Sequence, residues 1–129
     1  MKIAVAVAVL CLGSTVLAQT PSPIAYKTVA QAYNAMRANA GAKAQQDADG
    51  WITVVVGQGA DEGIWTFPPK GNPAFPSVVK RQVIDRDGHL FVAMDVLCQA
   101  KKEPCDALVA DFNQMNQEMA KELQARGKR

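Results

Sequence analysis

Two runs in the second half of the chain carry a period of two. In "LFVAMDVLC", Leu90, Val92, Met94 and Val96 alternate with Phe91, Ala93, Asp95 and Leu97. In "SVVKRQVID", Val79, Arg81 and Val83 alternate with Val78, Lys80, Gln82 and Ile84. Alternation of this kind places successive side chains on opposite faces of a strand. The intervening "RDGH" makes the pair a long β-hairpin. Upstream, "WITVVV" at 51–56 is rich in β-branched residues, and "IWTF" at 64–67 follows after the glycine-rich "GQGADEG". These two runs predict a second, shorter hairpin.

The flanks carry a helical period instead. Tyr26, Val29, Tyr33 and Met36 form one stripe, with Ser22 and Pro23 as its opening and Gly41 as its close. From Pro104 to about Arg126, the residues Cys105, Leu108, Phe112, Met115, Met119 and Leu123 step by three and four. The pattern predicts an α+β domain: an N-terminal helix, a four-stranded antiparallel sheet of two hairpins, and a C-terminal helix packed on the sheet. The polar "AKAQQDADG" between the first helix and the first strand reads as loop, and "PPKGNPAFP" at 68–76 as a stiff, extended proline-rich connection.

The stretch "DADGWI" returns 38 residues later as "DRDGHL", and both resemble the middle of a calcium loop. Such a loop needs oxygen ligands at positions 1, 3 and 5, glycine at 6 and glutamate at 12. With Gly50 or Gly88 at position 6, Val56 or Met94 falls at position 12. Neither can ligate, so no metal site is expected, and the Asp-Gly pairs read as turn formers.

The N-terminus changes the picture of where the protein works. Lys2, an apolar run of 15 residues and "VLA" before Gln19 have the layout of a secretory signal peptide, residues 1–18, cleaved after Ala18. Residues 19–129 then form one domain, periplasmic or secreted, with no transmembrane segment and a basic, frayed tail at 126–129. In an oxidising compartment Cys98 and Cys105 read as a structural disulfide. The formal charge of +2 supplies no strong field for nucleic acid.

Chemistry-bearing patterns are scarce. The one histidine, His89, follows Gly88 at a hairpin tip, and no nucleophile, metal, phosphate or dinucleotide motif is present. No catalytic residue and no cofactor are expected. Asp95 stands out inside an apolar strand and is expected to form a buried ion pair with Arg81 of the partner strand, Lys80 being the other neighbour within reach. The remaining candidate surface is Trp65, Phe67, Lys70 and Phe75, where aromatics sit among prolines that preorganise a loop. These features suggest a binding module whose partner is another exported or envelope protein, as inhibitor, immunity or assembly factor. The alternatives are a small-molecule or peptide binder with a pocket between sheet and helix, and a small cell-wall hydrolase using Asp95.

Overall fold

The computed structural model describes residues 21–127; the signal-peptide reading of residues 1–18 lies outside them. The elements run α1 (Val29–Ala38), β1 (Ala42–Gln46), β2 (Ile52–Val56), β3 (Gly63–Phe67), β4 (Ser77–Arg86), β5 (His89–Cys98) and α2 (Lys102–Gly127). The strands form one antiparallel meander in the order β1-β2-β3-β4-β5. The α+β class and both hairpins are present, but the sheet has five strands rather than four.

The additional strand, β1, occupies what the sequence suggests is loop. Its residues AKAQQ are small or polar and four of the five are exposed, so it lacks the apolar alternation of a strand with one face in the core. It forms because β2 offers a complete ladder, Ala42↔Val56 to Gln46↔Ile52. "DADG" is therefore the turn of a hairpin and not merely the approach to β2. Asp47 Oδ1 accepts from the N–H groups of Asp49 and Trp51, and Gly50 takes φ 88°. "DRDG" turns the β4–β5 hairpin as expected: Asp87 and Gly88 have φ 54° and 82°, and Gly88 N–H donates to Asp85 Oδ1.

The register sorts the core into two layers. On one face Val54, Val56, Trp65, Phe67 and Val78 pack under Val29, Ala32 and Met36 of α1. On the other, Val79 meets Leu108 and Phe112 of α2, with Met94 and Val96 alongside. α2 thus docks on its own sheet. Its buried stripe runs Leu108, Phe112, Asn116, while Met115 is 41% exposed. Asn116 takes the inward place at the i+4 step from Phe112 and donates through Nδ2 to Met94 Sδ at 3.3 Å. Arg126 belongs to this helix and pairs with Glu122, so the expected frayed tail does not start there.

α1 begins later than its sequence stripe suggests. Thr28 caps it, accepting from Gln31 N–H at 3.2 Å, while residues 21–26 lie outside any regular element. Ser22 is drawn elsewhere: its hydroxyl and its carbonyl both receive hydrogen bonds from Lys80 Nζ. The segment before α1 is a strap laid along the sheet. Ser22 N–H donates to Gln82, Ile24 N–H to Asp95 and Val29 N–H to Gln99.

The disulfide joins Cys98, at the end of β5, to Cys105 in the first turns of α2. At its far end the same helix is held by Gln124, which accepts from Leu90 N–H and donates to Gly88 O. A Cys98→Ser, Cys105→Ser chain is expected to lose about 2 kcal/mol of stability, the loop-entropy value for so short a ring. Urea midpoints of the variant and of the reduced parent, measured side by side, check this, and the two should coincide.

Candidate functional site: an apolar groove beside the proline-rich loop

Phe67 ends β3 and Pro68 follows it, both buried. From there the chain makes two linked turns instead of the extended path its prolines suggest. Asn72 N–H donates to Pro69 O, Phe75 N–H to Asn72 O, and Ala74 N–H to the Asn72 side chain. The Phe75–Pro76 peptide is cis. Pro76 O then accepts from Gln99 N–H, fastening the loop to the end of the sheet. On the other side Gly50 closes in: a Cβ added there would lie 3.1 Å from Pro69 Cβ.

Between this loop and α1 lies a groove of about 460 Å³, within the range of ligand sites. Tyr33 of α1, Ile52 of β2, Phe67 and Phe75 supply much of its wall, with Pro69 and Pro76 along the loop side. The Tyr33 ring meets Phe67 edge-on at 5.3 Å, and Arg37 stacks over Tyr33 and donates to its hydroxyl. These contacts set the helix-side wall. Lys70 is the single charged residue in the lining, and no carboxylate joins it there. A smaller concavity, about 270 Å³, opens beside Gly63, where β4 runs on past the end of β3.

Three of the four residues singled out from the sequence, Phe67, Lys70 and Phe75, come together around this groove. Trp65 does not. It is fully buried, its indole N–H donates to Asp61 O, and Tyr26 packs edge-on against it at 6.0 Å. Phe67, 4% exposed, contributes to the groove wall while belonging to the core, whereas Phe75 stands 39% exposed. Tyr33, weighed from the sequence as a ligand-stacking partner of Tyr26 but assigned to the core stripe, is a wall residue of this groove.

The expected Asp95–Arg81 ion pair does not form. The register sets Asp95 opposite Lys80 and Arg81 opposite Met94, so Arg81 and Asp95 leave the sheet on opposite faces. Arg81 lies with its guanidinium carbon 5.0 Å from the Phe112 ring centroid. Asp95 instead receives two backbone N–H groups, Ile24 at 2.7 Å and Val96 at 3.0 Å. Both its oxygens serve the strap and the strand, which is structural work and not the arrangement of a paired-carboxylate hydrolase.

Lys80 is the polar centre of the strap side. It is 2% exposed, its ammonium donates to Ser22 O, Ser22 Oγ and Ala60 O, and it lies 5.1 Å from the centroid of the Trp65 ring. Burial lowers its pKa below the usual lysine range, with Asp61, Asp95 and Glu62 pulling the other way. Tyr26 donates to Asp61 Oδ2 at 2.7 Å, and that bond pushes its pKa up to about 12. The strap and the β2–β3 loop are therefore locked by one polar network, and the groove lies outside it.

The architecture defines a disulfide-linked α+β domain with an apolar groove at one end. No helix among the described residues is long and apolar enough to cross a membrane. No protein-family model, curated protein or solved structure matches the chain.

Proposed function

We propose that the protein is a small exported binding module that receives an apolar group in the groove between α1 and the proline-rich loop. The observation that carries this reading is the groove itself: about 460 Å³, walled by Tyr33, Phe67, Phe75 and prolines. Its loop wall is fastened by backbone hydrogen bonds, so little ordering cost remains when a ligand enters. The disulfide suits an oxidising compartment, and export rests on the signal-peptide pattern of residues 1–18. An inhibitor, immunity or assembly role has less support, because Trp65 and Phe67, two of its aromatic anchors, belong to the core.

Titration with N-phenyl-1-naphthylamine, an apolar fluorescent probe, tests the reading. Saturable binding is expected in the mature chain. Ala30→Trp, on an exposed position of α1 that lines the groove, should weaken it by about tenfold or more, equivalent to about 1.4 kcal/mol. Val83→Ser, which reduces an exposed apolar position away from the groove, should leave it unchanged. Equal probe affinity in the parent and in Ala30→Trp would remove the groove as the site.

A further inference from the structure

We propose that the natural occupant is a free fatty carboxylate, its acyl chain lying in the groove and its carboxylate meeting Lys70. This rests on the groove being a binding site, and it adds the chemistry of what is bound.

The wall chemistry disfavours an extended peptide. An extended peptide needs backbone donors and acceptors along its length. The loop side of this groove is built from Pro68, Pro69 and Pro76, which have no N–H to offer. Tyr33, Ile52, Phe67 and Phe75 add apolar surface. Apart from the side chains of Tyr33, Gln46, Lys70 and Ser77, such a wall offers a peptide backbone no partners, at a cost of about 1–3 kcal/mol per desolvated group. A polymethylene chain has no such groups, and each CH₂ it buries contributes about 0.8 kcal/mol.

The charge at the groove selects an anionic head group. Lys70 is exposed and is the single charged residue of the lining. Among the described residues, the ion pairs are Lys102–Asp106 and Arg126–Glu122, both on α2 and neither involving Lys70. One apolar groove with one exposed cation matches one chain with one anionic head kept in water. A cationic amphiphile would meet Lys70 as a like charge.

Displacement of N-phenyl-1-naphthylamine by dodecanoate, dodecanol and dodecyltrimethylammonium, each below its micelle concentration, tests the proposal in the mature chain. Dodecanoate is expected to bind about threefold to fivefold tighter than dodecanol, the preference an exposed ion pair supplies. Lys70→Gln should abolish that preference while keeping dodecanol affinity, and Lys70→Glu should shift it toward dodecyltrimethylammonium. Raising the salt concentration should reduce the dodecanoate advantage, since the contact is exposed. Equal affinity for dodecanoate and dodecanol would overturn the fatty carboxylate and leave the apolar site standing. Displacement by an apolar peptide at lower concentration than dodecanoate, or retention on anionic phospholipid vesicles without displacement by dodecanoate, would likewise overturn it. If no amphiphile displaces the probe and Ala30→Trp does not weaken it, both the site and its ligand fall together.

Discussion

A Trp65→Ala chain is expected to unfold about 4 kcal/mol more easily than the parent, as judged by its urea midpoint. Trp65 is fully buried at the centre of the α1-side core, among Val54, Phe67 and Val78. Its removal leaves a cavity bounded by a rigid sheet, and it takes away the donor to Asp61 O and the ring beneath Lys80. A domain of this size has a total stability of about 5–15 kcal/mol, so the variant would retain only part of it. Trp65→Phe keeps most of the volume and should cost about half as much. The more informative result concerns binding. Trp65→Phe should hold N-phenyl-1-naphthylamine as the parent does, because Trp65 is absent from the groove lining. Loss of probe affinity in a folded Trp65→Phe chain would show that the two aromatic regions act as one surface, contrary to the separation described above.

That separation is where the sequence was hardest to read. The run "IWTFPPKGNPAFP" marks the right region because aromatics and prolines concentrate there. Which aromatics face outward depends on strand parity, and parity is fixed only by pairing. Val54↔Trp65 and Ile52↔Phe67 place both rings on the α1 face. The same parity decides the ionic residues. Lys80 falls two positions from Val78, on the inward side of β4, and meets Asp95 across the ladder. The neighbouring Arg81 takes the other face and packs on Phe112. Counting back from the turn, where Arg86 stands opposite His89, puts Lys80 and not Arg81 opposite Asp95.

The strongly patterned elements were legible for the opposite reason. β4, β5 and α2 carry long apolar periods, and their turn and disulfide are local in sequence. β1 was not, because an exposed edge strand of alanine, lysine and glutamine is specified by its partner's free ladder, not by its own apolar residues. The start of α1 was displaced for a related reason. Ser22 and Pro23 have the chemistry of a helix start, yet Lys80, Gln82 and Asp95 reach the backbone of this segment from the sheet and hold it straight. Tertiary hydrogen bonds from residues about 60–70 positions away overrode a sound local signal.

Lys80→Met is expected to be the second large effect, about 3 kcal/mol in the urea midpoint. Methionine fills a comparable volume but donates nothing, so Ser22 O, Ser22 Oγ and Ala60 O lose a common donor in a partly buried setting. Trypsin should then cut after Lys27 sooner than in the parent, because the strap that precedes α1 is no longer held. The lowered pKa of Lys80 does not contradict this loss. It compares charged with neutral lysine inside the fold, whereas the substitution compares lysine with a side chain that cannot donate at all. The pH dependence separates the two comparisons. Between the lowered folded pKa and 10.5, the unfolded chain binds more protons at Lys80 than the folded chain does. Stability therefore rises with pH through that window as far as Lys80 is concerned. Tyr26 has the opposite sign. Its folded pKa of about 12 lies above the ordinary 10.0, so its contribution is complete below pH 10 and is lost as the pH climbs toward 12. Urea midpoints followed from neutrality to about pH 12 should thus rise and then fall in the parent. Lys80→Met should remove the rise and keep the fall, and Tyr26→Phe should do the reverse. A parent and a Lys80→Met chain with parallel profiles across the whole range would mean that Lys80 titrates as it does in the unfolded chain, and that its three hydrogen bonds do not depend on a buried charge.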